Sequence, residues 1–233
     1  MSLPFFFVND LTDKRIVLDE DRSKHVISVL RMTKGEELLL TDGKGKKARA
    51  VIIDDNRKRC TVEISSSEQD QPRQTRFAIG ISLIKNASRF EWFLEKATEI
   101  GVSEIIPLIC ERTEKEKFRH DRLEQILISA MLQSQQTWLP VLHEPLVFKK
   151  AVELSFDQKF IAHCLPGEKK SLAVAPLITH PSSLILIGPE GDFTPTEVQL
   201  ALSHNFRPVS LGSTRLRTET AGMVAAVLLS TGS

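Results

Sequence analysis

The pattern of apolar and polar positions changes character near residue 70. Before that point, short segments alternate between apolar and polar residues, as in residues 58–64, and tight turns such as Asp42-Gly43-Lys44-Gly45 separate them. Strands are predicted at residues 5–8, 14–18, 36–41, 48–54 and 58–64, with a short helix at residues 21–31. Short antiparallel strands joined by tight turns predict a small β-barrel.

After residue 76 the pattern becomes an alternation of strands and helices, which is typical of a parallel α/β sheet. Strands are predicted at residues 77–84, 105–109, 159–164, 184–187 and 207–211, with helices at 88–100, after 118, at 147–154, from 195 and at 219–230. The first helix is expected to begin at Ser88, with Glu91 completing a capping box. The polar, proline-containing segment Ser65–Arg73 is predicted to be a linker between domains at residues 1–70 and 74–233.

Two glycine-bearing loops follow the last two predicted strands. The apolar run Leu184–Ile187 ends at the loop Gly188–Gly191. Thr194 is then predicted to cap a helix, with Glu197 three residues later completing a capping box. The strand at residues 207–211 ends at Gly212. Since open α/β sheets bind small ligands outside the carboxyl ends of their strands, both loops are expected to border one cleft. The alternative is that these glycines only turn corners.

The composition of the first loop indicates the kind of ligand. Neither loop matches the dinucleotide-binding or Walker lysine motif. Glu190 and Asp192 lie in the first loop, which has no lysine, so it is a poor lining for a phosphate. Backbone amides with carboxylates better suit a ligand with a cationic centre and an adenine or amide edge, and a sulfonium methyl donor fits that description.

Overall composition sets few limits. The chain has 233 residues, of which 41% are hydrophobic and 26% charged, and its net charge is +1, so any nucleic-acid binding must come from local patches. No apolar run approaches the roughly 18 residues of a membrane span, and no signal peptide is visible. Cys60, Cys110 and Cys164 lie far apart without metal-ligand spacing, which favours buried free thiols in a reducing cytosol and no metal.

Basic residues cluster on two predicted turns of the barrel. They are Lys44, Lys46, Lys47 and Arg49 in one cluster, and Arg57, Lys58 and Arg59 in the other. Such runs are either solvated surface or a footprint for a phosphate backbone. The adjoining strands are predicted to pair, which would merge both clusters into one RNA-binding patch.

Four separated motifs resemble the ribosomal RNA small subunit methyltransferase E family. They are Gly188-Pro189-Glu190-Gly191-x-Phe193-Thr194; Leu211-Gly212 with Leu216-Arg217-Thr218-Glu219-Thr220-Ala221; Lys85 with Glu95-Lys96-Ala97-Thr98-Glu99-Ile100-Gly101-Val102; and Gln133-Ser134 before Pro140. The resemblance covers nearly the whole chain. This sequence departs from the usual pattern at Asp192 (usually Gly), Thr214 and Gln136 (Arg) and Leu132 (Glu), and an arginine usual near the N-terminus is absent.

The resemblance implies both a fold and an activity. The fold is α/β: a C-terminal domain of the SPOUT class with a parallel sheet and a trefoil knot at about residues 187–230, after a small PUA-like RNA-binding β-barrel. The activity is S-adenosylmethionine-dependent methylation of uridine N3 in 16S ribosomal RNA of the small subunit. SPOUT enzymes are homodimers, and the apolar helix at residues 219–230 suits such an interface. A cytoplasmic location, without a membrane, is expected.

Site residues follow from the same match. Arg217 is predicted to stabilise the negative charge on the uridine, or alternatively to brace its loop by pairing with Glu219 or Glu190. The predicted donor-binding residues are Leu186, Ile187, Gly188, Glu190, Gly191, Leu211, Gly212, Leu216, Thr220 and His163. The predicted RNA-binding residues are Lys44, Lys46, Lys47, Arg49, Arg57 and Arg59. Two alternatives remain: a catalytically silent RNA-binding protein, and the same chemistry on another RNA.

Overall fold

The computed structural model describes residues 3–71, 75–114, 117–174 and 181–230. The chain forms two compact units. One comprises Met1–Pro72 with Met131–Leu139, and the other comprises Arg73–Ala130 with Pro140–Ser233. Within the described ranges no helix combines the length and the apolar character needed to cross a lipid bilayer.

The first unit is built on a five-stranded sheet of order β1-β3-β4-β5-β2. Its elements are β1 (Phe5–Phe7), β2 (Arg15–Val17), α1 (Glu20–Lys24) continued by a π-helical turn (His25–Val29), β3 (Glu37–Thr41), β4 (Lys46–Asp54) and β5 (Thr61–Gln69). β1 and β3 are parallel and the other pairs are antiparallel. The alternation predicted at residues 58–64 is confirmed at Cys60 and Val62, which are fully buried, while Arg59 is exposed.

The predicted linker is wrong over most of its length. Ser66–Gln69 continue β5 and pair with Lys46–Arg49 of β4. Every side chain in residues 65–69 is exposed, so the hydrophobic pattern that marks a strand is missing. The segment is held in the sheet by backbone pairing and by polar contacts, in which the Ser65 hydroxyl donates to Arg49 O at 3.1 Å and Gln69 Nε2 donates to Lys44 O at 3.1 Å. Pro72 and Arg73 of the predicted linker lie outside the described residues.

Residues 131–139 complete the first unit although they follow it by about sixty positions in the chain. The Gly45 N–H donates to Thr137 O (2.9 Å), and the Leu139 N–H donates to Gly43 O (2.8 Å). Gly45 has a φ of +88°, and a Cβ there would lie 2.3 Å from the Trp138 ring, so only glycine fits under this tryptophan.

The second unit contains a parallel sheet of order β11-β13-β10-β12-β6-β7-β8, with β9 also paired to β7. Its strands are β6 (Arg76–Ser82), β7 (Glu104–Ile109), β8 (Val141–Leu142), β9 (Leu146–Val147), β10 (Gln158–Ala162), β11 (Lys170–Ser171), β12 (Ser182–Ile187) and β13 (Arg207–Ser210). Its helices are α2 (Ala87–Ile100), α3 (His120–Gln133), α4 (Phe148–Ala151), α5 (Pro195–Ser203) and α6 (Thr218–Ser230), with a 3₁₀ turn at Leu172–Val174. The last residues of α3, from Met131, belong to the first unit. The predicted parallel α/β sheet is confirmed.

Local signals fix the helices that border the sheet edge. The capping box predicted for α5 is present, with the Thr194 side chain and Glu197 bonded reciprocally to each other's backbone N–H groups. The cap predicted at Ser88 for α2 is wrong, because Asn86 caps this helix and accepts from the Ser88 N–H at 3.0 Å. Asn86 precedes Ser88, and its side-chain carbonyl reaches the N–H two residues on, so the helix begins earlier.

Candidate active site

A cleft of about 660 Å³ opens at the carboxyl ends of three neighbouring strands, β10, β12 and β13. The loop after β12 and the loop after β13 both line it, as expected for two loops at one edge of a parallel sheet. The lining residues are Arg89, Ala162, His163, Cys164, Lys169, Ile187, Gly188, Pro189, Glu190, Asp192, Val209, Ser210, Leu211, Gly212, Ser213, Thr214, Arg215, Leu216, Arg217, Thr218 and Ala221. The prediction that the two glycine loops border one cleft is confirmed.

A buried hydrogen bond ties the two loops together. The Thr218 hydroxyl, at the start of α6, donates to Gly188 O at 3.0 Å, and Thr218 is 4% exposed. On its other side Gly188 lies against Phe193, where a Cβ would approach the ring at 3.1 Å. The loop backbone therefore has little room to shift, and the cleft wall is preformed.

Asp192 fills a position whose backbone favours glycine. Its φ is +63°, in the left-handed region, which accounts for the glycine usual in the family at this point. The aspartate tolerates this conformation because its carboxylate accepts from two backbone N–H groups, those of Cys164 at 2.8 Å and Phe193 at 2.9 Å. The carboxylate of Asp192, which stands where the family usually has glycine, therefore links the end of β10 to the loop after β12.

His163 presents an unsatisfied nitrogen in the cleft wall. Its Nδ1 is buried and has no hydrogen-bond partner among the described residues. Burial lowers the pKa of His163, with the nearby Lys169 cation acting in the same direction and Asp192 opposing it, so the ring is neutral at pH 7. A bound ligand with a hydrogen-bond donor would satisfy this atom.

Most of the predicted donor-binding residues lie together on the cleft wall. His163, Ile187, Gly188, Glu190, Leu211, Gly212 and Leu216 all line it, as does Arg217, the predicted catalytic residue. Leu186, Gly191 and Thr220 are not among the lining residues. Leu186 is fully buried in the core beneath the cleft, and Gly191 instead accepts a hydrogen bond at its carbonyl from Arg112 Nη1 at 2.6 Å.

Arg217 is exposed at the rim of the cleft. Among the described residues it forms no ion pair, and the alternative pairing with Glu219 or Glu190 is absent: Glu219 Oε1 instead lies 3.6 Å from Arg89 Nε. The other carboxylate oxygen of Glu219, Oε2, is buried and has no hydrogen-bond partner among the described residues. The guanidinium of Arg217 is therefore available to a ligand.

Sequence reasoning missed three cations of the cleft, Arg89, Lys169 and Arg215. Arg89 belongs to the first turn of α2, and the loop before α2 leaves β6, which pairs with β12. The strand-loop-helix pattern after β6 was visible in the sequence, but the adjacency of β6 and β12 was not. Lys169 follows β10 in a segment without a recognisable motif.

Two further features bear on the predicted chemistry. Within the described ranges, His, Cys, Asp and Glu side chains form no cluster suited to a metal ion. The three cysteines are free; Cys60 and Cys110 are buried as predicted, but Cys164 is exposed, so the predicted burial is wrong there. Burial raises the pKa of Cys110 to about 12, so this thiol is unreactive.

The basic clusters of the first unit do not form one patch. Residues 44–49 lie at one end of the β4–β5 ladder, where Lys46 opposes Gln69, and Arg57–Arg59 lie in the turn at the other end, beyond the Asp54–Thr61 pair. Eight strand positions at about 3.3 Å each separate these ends. The predicted merging is wrong because the clusters lie along a strand rather than across from each other.

The clusters also differ in how their charge is balanced. Lys47 lies 3.9 Å from Glu68, Arg49 lies 2.8 Å from Glu37, and the Lys46 ammonium donates to Leu11 O at 2.5 Å. Arg57 and Arg59 are exposed and form no ion pair with a described carboxylate. The turn at residues 57–59 therefore offers cations without a direct ion-pair partner among the described residues, although Asp54 and Asp55 precede them in the chain.

Comparison with known proteins agrees with this architecture. Residues 71–230 match the family profile described as RNA methyltransferase domain, and residues 18–65 match that of the RNA methyltransferase PUA domain. The chain is 30% identical over 222 residues to ribosomal RNA small subunit methyltransferase E of Synechocystis sp., covering 92% of this chain and 72% of that protein.

Solved structures are similar over nearly the full length. A probable rRNA-methyltransferase from Porphyromonas gingivalis superposes with a TM-score of 0.92 at 39% identity, covering 98% of both chains. The ribosomal RNA small subunit methyltransferase E from Neisseria gonorrhoeae, bound to S-adenosyl methionine, superposes with a TM-score of 0.85 at 28% identity, covering 99% of this chain and 98% of that one. With its PUA-like sheet, its parallel α/β sheet and its matched profiles, this chain belongs to the ribosomal RNA small subunit methyltransferase E family of RNA methyltransferases.

Proposed function

We propose that this protein transfers a methyl group from S-adenosylmethionine to N3 of a uridine in 16S ribosomal RNA of the small subunit. The observation that carries the proposal is the cleft formed by the loops after β12 and β13, in a chain similar along its whole length to the gonococcal enzyme bound to S-adenosyl methionine. Its volume of about 660 Å³ is typical of a pocket for a cofactor-sized ligand.

The cleft residues fit this methyl donor. Ile187, Leu211 and Leu216 supply an apolar slot for an adenine ring, with backbone groups of the same segments at its edge. His163 Nδ1 offers an acceptor for a donor group of the ligand. Glu190, exposed in the cleft wall, supplies negative charge suited to a sulfonium centre.

The chemistry requires alignment and control of one proton. S-adenosylmethionine, when bound, supplies an electrophilic methyl group. Loss of the proton from uridine N3 spreads negative charge onto the ring carbonyl oxygens, and a fixed cation beside them stabilises that charge. Arg217 is assigned this role because it lies at the cleft rim without a carboxylate partner among the described residues. Since arginine does not deprotonate, Arg217 is an electrostatic stabiliser and not the base.

Several further assignments belong to this proposal. Residues 1–70 bind RNA and residues 74–233 perform methyl transfer; the segment at about residues 187–230 is knotted in the SPOUT manner; and the protein acts as a homodimer in the cytoplasm. The RNA assignment is supported by the match to an RNA methyltransferase PUA domain. The homodimer rests on the resemblance to dimeric SPOUT enzymes; within the described helix α6 itself Val227 is the one exposed residue.

The test is transfer of labelled methyl groups from S-adenosylmethionine to small subunits that lack the modification. We expect label in 16S ribosomal RNA, and a reverse-transcription stop at one uridine, because N3 methylation blocks the pairing edge of the base. Measurable donor binding without label in any RNA would support the catalytically silent alternative. Label in a different RNA, or on another atom, would overturn the proposed substrate.

A further inference from the structure

A second cleft, of about 380 Å³, opens beside the active-site cleft in the same unit. Its apolar wall comes from Leu83 and Ile84, which follow β6, and from Phe90 of α2; all of them are at most 5% exposed. Phe118, half-buried before α3, completes the wall with an aromatic ring. This surface can receive a flat, apolar-faced group.

The rim of the second cleft is cationic. Lys117 and Arg119 line it, are exposed, and form no ion pair with a described carboxylate. Arg122 also lines it, but its charge is balanced by Glu91 at 3.0 Å. Two uncompensated cations beside an aromatic and aliphatic wall suit a ligand that carries both an anion and a ring.

The two clefts share a wall. Arg89 lines the active-site cleft, whereas its neighbours in the first turn of α2, Ser88 and Phe90, line the second cleft. The strands that lead to them, β6 and β12, pair in register from Arg76–Ser182 to Ile81–Ile187. Both clefts therefore lie at the carboxyl edge of adjacent strands, separated by one helical turn.

From this geometry we infer that the second cleft binds a nucleotide of the substrate RNA that flanks the target uridine. Its base packs on Phe118 and the apolar wall, and its phosphate groups contact Lys117 and Arg119. Base-aromatic stacking and phosphate contacts to exposed cations are the usual components of single-stranded RNA binding. This inference rests on the proposed function, because it assumes an RNA substrate in the neighbouring cleft.

The test measures the affinity of the full chain for a short, fluorescent, single-stranded oligoribonucleotide. Fluorescence anisotropy gives this affinity at several salt concentrations between about 50 and 200 mM. Each phosphate contact in a single strand contributes about 0.7 to the slope of log affinity against log salt. The double variant Lys117→Ala, Arg119→Ala is expected to bind at least about tenfold more weakly at low salt, with a slope smaller by about 1.4. Donor affinity, measured calorimetrically, should stay unchanged.

Two further variants separate contact from general charge and from folding. Arg207→Ala removes an exposed cation at the amino end of β13, the opposite sheet edge, and is expected to leave affinity and slope unchanged. Phe118→Ala is expected to weaken RNA binding at least about fivefold, as loss of one stacked base would, and to leave the salt slope unchanged. Phe118→Tyr keeps an aromatic ring at this position and is expected to restore the affinity.

Unchanged affinity and slope in the double variant would overturn the inference, as would equal losses in Arg207→Ala. Competition for this cleft by an acidic peptide, but not by RNA, would also overturn it and would identify a protein partner. These binding measurements need no turnover. A wild-type protein that binds RNA through this cleft but transfers no methyl group would therefore refute the proposed function and leave this inference standing.

Discussion

At the scale of single residues, the active-site cleft depends on the contact between Thr218 and Gly188. The hydroxyl of Thr218 is the donor that satisfies a carbonyl of the loop after β12, and the bond is buried. Because the same residue begins α6, it couples the position of that helix to the wall of the cleft. The pocket shape is therefore sensitive to one hydroxyl group.

Thr218→Val keeps the shape of the side chain and removes this donor. The variant is expected to lose about 1 kcal/mol of unfolding free energy, because Gly188 O is left buried without its partner, and to bind S-adenosylmethionine more weakly. Calorimetric donor titration and urea unfolding measure both effects. Thr218→Ser retains the hydroxyl and should stay close to wild type; an equal loss in both variants would assign the effect to packing.

Arg217 is the residue on which the proposed chemistry depends. Arg217→Ala is expected to lower the rate of methyl transfer by about 10²-fold or more, as for loss of other oxyanion-stabilising donors, while donor affinity changes little. Single-turnover rates and donor titration separate the two quantities. A parallel loss of donor affinity would make the residue part of the binding wall instead. Arg215→Ala, which removes a neighbouring exposed cation of the same loop, is the matched comparison.

At the scale of elements, α6 lies unusually close to its neighbours at Gly222. A Cβ there would approach Phe93 Cε2 of α2 at 2.7 Å and Ile81 Cδ1 of β6 at 2.9 Å. Both of these side chains are fully buried and cannot withdraw into solvent. The absence of a side chain at Gly222 thus sets the distance at which α6 packs on α2 and on the sheet.

Gly222→Ala is expected to destabilise the protein by about 1–2 kcal/mol. Overpacking a core costs about 1–3 kcal/mol, and the better helix propensity of alanine offsets roughly 1 kcal/mol of that cost. Gln199→Ala, at an exposed position of α5, is the control and should change stability by less than about 0.5 kcal/mol. Urea unfolding compares them, and a stabilised Gly222→Ala variant would contradict the close packing.

A charged network joins the amino ends of β6 and β7 to His143, which follows β8. Glu104, 8% exposed, binds the Arg76 guanidinium through one oxygen and accepts from His143 Nε2 at 2.9 Å through the other. Burial acts to raise the pKa of Glu104, but the hydrogen bonds from His143 and Arg76 outweigh it and hold the pKa below its usual range. The ionised form is therefore the one that stabilises the fold.

This pKa shift predicts how stability changes with acid. A carboxyl group whose pKa is lower in the folded state contributes stability above its unfolded pKa, about 4.3, and that contribution is lost as the pH falls through the folded value. Wild-type unfolding free energy is thus expected to decrease from about pH 5 downward. Glu104→Gln should have a lower free energy of unfolding at pH 7 and a shallower acid dependence, and parallel curves for both proteins would contradict this explanation.

At the scale of the whole molecule, a net charge of +1 gives little general attraction for RNA. Binding must come from cations that are not already balanced by carboxylates. In the first unit Arg49 is paired with Glu37 at 2.8 Å, whereas the turn containing Arg57 has no described ion pair. The turn containing Arg57 is expected to dominate the RNA contact of this unit.

Arg57→Ala is accordingly expected to reduce affinity for 16S ribosomal RNA and to lower the slope of log affinity against log salt by about 0.7 to 0.9, the value for one lost phosphate contact. Arg49→Ala serves as the matched variant, and its effect should be smaller because the Arg49 guanidinium is already engaged by Glu37 at 2.8 Å rather than by a phosphate. Filter binding at several salt concentrations gives both slopes. A larger effect for Arg49→Ala would place the RNA contact at the other end of the β4–β5 ladder.

The sequence by itself determined the local elements of this protein. The buried run that forms β12, the capping box of α5 and the two glycine loops are all encoded by neighbouring residues, so they could be predicted together with most of the cleft wall. Local reasoning failed where side chains carried no periodic signal. The exposed end of β5 was taken for a linker, and Asn86 was passed over as the cap of α2.

Only the tertiary structure decided which elements are neighbours. The order β13-β10-β12-β6 brings His163, Lys169 and Arg89 to the active-site cleft, and residues 131–139 join the first unit through hydrogen bonds to Gly43 and Gly45. These contacts are made between backbone groups and side chains far apart in the chain. They depend on the packing of whole strands and helices, which leaves no periodic trace in the residues that make them.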